Sequence, residues 1–336
     1  MPEIIKANLF KIISILLILI LYLITIRNSF FWDTVQLGSK HASFYFNNNF
    51  NSLLLPDIID SGHIPAFGMY IGLVWKLLGR TLFVSHLAML PFVVGIVWQL
   101  MRLIPKYFNK KYVDLIVLLV LLDPSLLAQM TLISPDVPLI FFFLMTWNSI
   151  VRNKKIILSI GIFLLFLTSM RGMMVALCLL IIDLYYNVNF KASLKAITTS
   201  LFNRAIIYLP ALAVFMLFNW YHYQMKGWIG FHSESTWAGS FQSVGLKGII
   251  YNIGILGWRL IDFGRIGVWL VFGIIFLKFG FKIFKEQKTR SLVLIFVCFM
   301  IILPSTMIWA KNLMGLRYLI PIYIIFSVLV AKILFS

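Results

Sequence analysis

The chain has 336 residues, of which 61% are hydrophobic and only 12% charged, with a formal net charge of +18. That balance excludes a water-soluble domain, because a wet surface needs charge, and the absence of short alternating strands excludes a β-barrel. The cations stand in short clusters between apolar runs, a pattern of membrane topology that argues against nucleic acid as a partner.

Lys6 and Lys11 precede the first apolar run, as in a signal peptide. The run is long, however, and Ile26-Arg27-Asn28 offers no small-residue cleavage site, so an uncleaved anchor is expected. Apolar segments follow near 9–26, 82–104, 112–130, 136–151, 156–170, 172–187, 205–220, 265–280, 291–310 and 317–335. Most approach the ~20 residues a bilayer crossing requires. The shorter stretch Pro65–Gly79 carries Trp75 and Lys76 and is followed by Arg80. If it lies along the outer interface, five basic clusters fall on one side: Lys6/Lys11, Arg102/Lys106/Lys110/Lys111, Arg152/Lys154/Lys155, Lys191/Lys195/Arg204 and Lys278/Lys282/Lys285/Lys288/Arg290. By the positive-inside rule that side is cytoplasmic. If the stretch spans, the first cluster is separated from the rest.

The expected fold is therefore an all-α polytopic membrane protein with ten spans and outer juxtamembrane helices. It would form one transmembrane domain over 1–336, with a first outer loop at 27–81 and a second at 221–264. Both termini would be cytoplasmic, in what is expected to be a bacterial inner membrane. Cys178 and Cys298 both lie in apolar runs and read as small buried hydrophobes.

This topology sorts the eleven acidic residues. Asp33, Asp57, Asp60, Asp123, Asp136, Glu234 and Asp262 fall outside or at the outer boundary. Asp114, Asp183, Glu3 and Glu286 fall on the cytoplasmic side. Asp33 follows the first span. It is either a loop carboxylate or helix cap, or a partly desolvated general base for an acceptor hydroxyl. Pro124 disfavours helix at Asp123, so the third span should loosen there. Ser134-Pro135-Asp136 reads as an N-cap, a proline at the first helical position and an acid in the first turn. Asp136 would then complement the helix dipole, although carboxylates at such depth usually face a cavity or a partner.

The string LLDPSLLAQMTLISPDVPLIFFF resembles the second outer loop of the protein O-mannosyltransferases. That loop has an Asp, a Gln six residues on, and a second Asp entering an apolar helix as Asp-x-Pro-Leu. The matching positions are Asp123, Gln129 and Asp136-Val137-Pro138-Leu139. GHIPAFGMYIGLVWKLLG resembles the family's His-Pro-Pro-Leu juxtamembrane stretch through His63 and Pro65, with Ile64 in place of the first proline. Asp33 takes the place of the acidic residue that opens the same loop. The lipid A aminoarabinose transferases share this layout, and RYLIPIY at 317–323 resembles the late Arg-Tyr segment of such enzymes. Thr34 stands where the mannosyltransferases have Glu, and Met130 and Thr131 stand where they have Arg. The resemblance covers about residues 20–190.

The resemblance implies a GT-C fold and inverting transfer of a sugar from a polyprenyl-phosphate donor to a hydroxyl on the outer face. The acceptor would be a glycan, a lipid-linked saccharide or a protein, and membrane lipid the surrounding partner. By position Asp33 is the base and Asp136 shapes the site, with Asp123, Gln129 and His63 lining it. A lipid-phosphate leaving group needs cations, and Arg171, Lys311 and Arg317 are the candidates. No cofactor is implied, and a divalent cation stays open; the spacing of His222, His232 and Glu234 matches no zinc pattern. Trp228, Trp237, Tyr221 and Tyr223 suit either sugar stacking or the membrane interface. The rival readings are a transporter or flippase of a lipid-linked saccharide, and a non-catalytic subunit of a glycan-assembly complex.

Overall fold

The computed structural model describes residues 3–31, 34–230, 232–235, 238–311 and 315–335, without the side chains of residues 3–8 and 241. Among the described residues the chain is helical, with one isolated antiparallel bridge between Ser243 and Ala310. The helices are α1 (Glu3–Thr25), α2 (His41–Asn47), α3 (Ala66–Leu78), α4 (Leu82–Leu103), α5 (Val113–Leu121), α6 (Pro124–Met130) and α7 (Asp136–Val151). They continue with α8 (Lys155–Thr168), α9 (Met170–Asn187), α10 (Leu194–Lys226), α11 (Leu246–Ile261), α12 (Arg265–Phe279), α13 (Gln287–Ser305) and α14 (Ile320–Leu334). A π-helical turn, Val35–Lys40, leads into α2.

Each apolar run of the sequence coincides with a helix or, at 112–130, with the pair α5 and α6. Six helical stretches are long and apolar enough to cross a membrane: Leu82–Lys106, Met170–Asn187, Leu194–Lys226, Arg265–Lys285, Gln287–Ser305 and Leu316–Leu334. A seventh crossing arises if Lys110–Leu121 and Pro124–Met130, bent by 73° at their junction, act as one. Leu9–Thr25, Asp136–Val151 and Lys155–Thr168 are apolar but shorter. With 13 residues, α3 reaches only about 20 Å, short of the ~30 Å of hydrocarbon in a bilayer. The 33 residues of α10 reach about 50 Å, so its ends extend past the hydrocarbon.

Local chemistry places the breaks. Pro124 cannot continue α5, and Asp123, extended at φ −59° and ψ 123°, caps α6 by accepting from the Ser125 and Leu126 amides. α7 starts at Asp136, one residue later than a Ser134 cap followed by a helical Pro135 requires. Ser134 still serves this end. Its Oγ accepts the Asp136 amide at 3.1 Å and donates to Asp136 Oδ2 at 3.1 Å.

The chain, expected as one domain, divides into two compact units: Met1–Thr25 with Gly95–Thr131 and Ser243–Ser336, and Ile26–Val94 with Leu132–Gln242. In the first, α5 packs on α1 and α14, and α14 packs on α12 and α13. In the second, α7, α8 and α9 pack on one another, α10 lies on α8, and α2 lies on α3. α7 and α14 are buried along most of their lengths. The stretch 221–264, expected as a loop, begins inside α10 and contains α11.

Gly68 and Gly72, one turn apart on α3, allow α2 to approach. A Cβ at Gly68 would stand 2.4 Å from the His41 Cβ, and one at Gly72 would stand 3.0 Å from the Ala42 carbonyl oxygen. Gly68→Ala is expected to destabilise the protein by about 2 kcal/mol through overpacking. Gly254→Ala, on α11 with open space around it, should not destabilise. Thermal unfolding of both variants in detergent is the measurement; equal midpoints would show that the α2–α3 contact is loose.

Candidate functional site

The charged cluster of the second unit is built around the turn that follows Pro56. A 3-10 turn, Asp57–Ile59, presents Asp57 and then Asp60. The Asp60 side chain is only 3% exposed. Its Oδ1 accepts the Gly62 amide at 2.9 Å. Its Oδ2 accepts from Lys226 Nζ at 2.6 Å and faces His222 Nε2 at 3.1 Å. Lys226 Nζ also donates to Asp57 Oδ1 at 2.8 Å and to the Leu55 carbonyl, which uses all three ammonium hydrogens. His222 Nδ1 faces the Trp228 carbonyl at 2.9 Å. Both ring nitrogens thus lie within hydrogen-bond distance of an oxygen.

His222 and Lys226 stand one turn apart at the C-terminal end of α10. A cation there also complements the negative end of the helix dipole. The Lys226 hydrogen bond holds the Asp57 carboxyl below the usual carboxylate range, against a small opposing effect of burial. From the other side, Gln36 Nε2 donates to the Ile59 carbonyl at 3.3 Å and His41 Nε2 contacts the same oxygen at 2.7 Å. Burial lowers His41 to about 4, with the Ile59 contact and Asp60 opposing. Gly62, at φ +68°, closes the turn, and a Cβ there would overlap the Gly230 carbonyl oxygen.

Asp136 and Arg171 form the second charged group. Asp136 opens α7 and Arg171 stands in the first turn of α9. Ser169 caps α9 by accepting the Gly172 amide at 3.2 Å. The guanidinium Nη1 donates to Asp136 Oδ1, and Arg171 keeps 19% exposure while Asp136 keeps 3%. The arginine is therefore anchored by a buried carboxylate and reaches partly into the open. His63 senses both groups: burial pushes it below its ordinary value, Arg171 adds to that shift, and Asp60 opposes it. Ser61 Oγ contacts His63 Nε2 at 3.3 Å.

The remaining expected site residues belong to the first unit. Asp123, besides capping α6, accepts Arg265 Nε at 2.9 Å and Nη2 at 2.8 Å. The Arg265 Nη2 also donates to Ser125 Oγ at 2.7 Å, and the guanidinium lies 3.6 Å from the Tyr323 ring centroid. Gln129 is buried, and its Oε1 has no hydrogen-bond partner among the described residues. Lys311 is exposed in a turn. Arg317 Nη2 donates to Tyr318 Oη at 2.9 Å, and the 3-10 turn carrying it packs on α6. Asp33 lies outside the described residues, as do Trp32 and Trp237.

Of the expected residues, then, Asp136 and Arg171 come together, while Asp123 has Arg265 as its partner. Asp60 and Lys226 were not singled out from the sequence. Their signal was present: His222 and Lys226 are spaced i,i+4, the spacing of neighbours on one helix face. Among the described residues, no three His, Cys, Asp or Glu side chains gather into a potential metal site.

With six long apolar helices among the described residues, and buried carboxylates matched by cations, the chain is an α-helical polytopic membrane protein. No protein-family model matches the chain, and no curated protein or solved structure shows significant similarity to it.

Lys226→Met leaves the Asp60 carboxylate buried without its ammonium partner. It should cost about 3–5 kcal/mol, and Lys226→Met combined with Asp60→Asn should recover much of that. Additivity of the two losses in thermal unfolding would show that the pair is not coupled. A second expectation concerns pH. The folded His41 value of about 4 lies below the ordinary 6.5, so between those values the unfolded chain binds the extra proton. Stability should therefore fall as pH drops from 6.5 to 4, by up to about 3 kcal/mol, and then level off with respect to this group. His41→Gln should flatten that segment of the pH–stability curve.

Proposed function

We propose that the chain is an inverting glycosyltransferase of the GT-C type. It moves a sugar from a polyprenyl-phosphate donor to an acceptor hydroxyl on the outer face of a ten-span membrane domain. The observation that carries this reading is the Asp136–Arg171 pair, which joins the acid of the Asp-x-Pro-Leu run at the start of α7 to a partly exposed arginine at the start of α9. The short α3, too short to cross, supports the interfacial place the resemblance assigns to it.

In this reading the Asp33 carboxylate removes the proton of the acceptor hydroxyl. The oxygen attacks the anomeric carbon from the face opposite the phosphate. The bond from that carbon to the phosphate oxygen breaks, its electrons leave with the lipid phosphate, and the configuration inverts. Charge grows on the phosphate as the bond breaks, where a preorganised cation is worth most. Arg171 suits that role, with Asp136 as its positioning residue.

A transporter of a lipid-linked saccharide is the second reading, favoured by the 73° break at Asp123. Interrupted spans with exposed half-helix ends are a recurrent feature of transporter sites.

The test uses the full chain in proteoliposomes supplied with a labelled polyprenyl-phosphate sugar and candidate acceptors. Asp33→Asn should lower transfer by about 10²–10⁴-fold with unchanged folding. Arg171→Gln should lower it about 10²-fold, and Arg171→Lys less. Full activity of Asp33→Asn rules out its role as base. Movement of the intact lipid-linked saccharide without sugar transfer would establish the transporter reading instead.

A further inference from the structure

The segment that joins α12 to α13 has been read so far only as a marker of topology. Its sequence from Leu277 is LKFGFKIFKEQKTR, in which cations and aromatic rings alternate. Gly280, at φ +56°, ends α12, and a 3-10 turn, Gly280–Lys285, follows. This turn packs against both α12 and α13, so it is held in place at the end of a candidate span.

The rings form a continuous series along that end. Phe272 stacks on Phe276 at 6.2 Å, Phe276 meets Phe281 edge-on at 5.5 Å and Phe284 at 6.2 Å, and Phe281 and Phe284 are 6.2 Å apart. The series leads from inside α12 to Phe281, which is 79% exposed, and Phe279 beside it in sequence is 50% exposed. Lys278 Nζ lies 5.3 Å from the Phe279 centroid. Lys278, Lys282, Lys285, Lys288 and Arg290 are all exposed.

One acid, Glu286, interrupts the cations, and it is already neutralised. Its Oε2 pairs with Lys332 Nζ at 2.9 Å and accepts from Thr289 Oγ1 at 3.0 Å. Lys332 is a buried cation of α14, so the pairing leaves the surface charge of the five exposed cations uncancelled. Exposed rings beside uncancelled ammonium groups at the end of a span match one chemistry: acyl chains for the rings and phosphodiester anions for the cations. A solvated charge run that only set topology would have no need of the bare rings.

We propose that the Lys278–Arg290 segment is a binding site for anionic phospholipid headgroups, with Phe279 and Phe281 inserted among the adjoining acyl chains. The occupant is the lipid surface itself rather than free phosphate.

The experiment uses purified full chain in detergent micelles, titrated with phosphatidylglycerol or phosphatidylcholine, with bound lipid counted by native mass spectrometry. The wild-type chain should retain phosphatidylglycerol in preference to phosphatidylcholine. The combined substitution Lys282→Gln, Lys285→Gln and Lys288→Gln should weaken phosphatidylglycerol retention by about tenfold or more and leave phosphatidylcholine unchanged. Phe281→Ser should weaken both lipids. Lys191→Gln with Lys195→Gln, which removes charge from another basic cluster, should change neither. Equal losses in that control, or no loss in the triple variant, would overturn the proposal. Displacement of the lipid by millimolar inorganic phosphate would also overturn it, by showing that the cations recognise the free anion.

Discussion

A carboxylate taken out of water must be met by a cation, and this chain has few carboxylates to place. Leaving one unpaired costs several kcal/mol in a protein interior. Each buried one is accordingly matched: Asp60 by Lys226, Asp123 by Arg265, Asp136 by Arg171 and Asp183 by Arg204. Every such pair ties two segments distant in sequence. Asp183 on α9 also accepts from Asn187 at 2.8 Å and from Tyr208 of α10 at 3.3 Å, while Arg204 reaches Asn153 at 2.6 Å. In a protein whose helices share apolar surfaces with lipid, hydrophobic burial discriminates weakly between neighbours. The ion pairs therefore supply register that packing alone would leave loose.

The length of α10 follows the same logic. A helix sized for the hydrocarbon would end before His222. The extra turns carry His222 and Lys226 to the Pro56–Gly62 turn, where they hold Asp60. The turn is held on its other side by Gln36 and His41. The first loop is thus fastened at both ends of a few residues, and His63 follows directly from the fastened part. Such fastening fixes the position of the turn that leads into His63.

The Asp136–Arg171 pair is open on one side: the Asp136 side chain is 3% exposed and that of Arg171 19%. The Asp123–Arg265 pair differs in this respect. There the guanidinium is nearly enclosed, shared between Asp123, Ser125 and the Tyr323 ring, and its geometry is that of a clamp on the break between α5 and α6.

The amino-acid sequence alone determined the helical class, the position of every long apolar helix and the break at Asp123-Pro124. These depend on local facts: the length of an apolar run, and the inability of proline to continue a helix. It also marked Asp136 and Arg171 as unusual, since charge is rare in such company. The pairing itself was decided by tertiary structure. The charge pattern set Arg152 apart in a cytoplasmic cluster, but it did not say which of the remaining cations Asp136 would meet. Nor does local sequence reveal that α10 continues through His222 to Lys226, or that α11 forms within an apparent loop, because both depend on what the last turns touch. Only folding could bring Asp60 to His222 and Lys226, since an ion pair is set by distance in space, which chain separation does not encode.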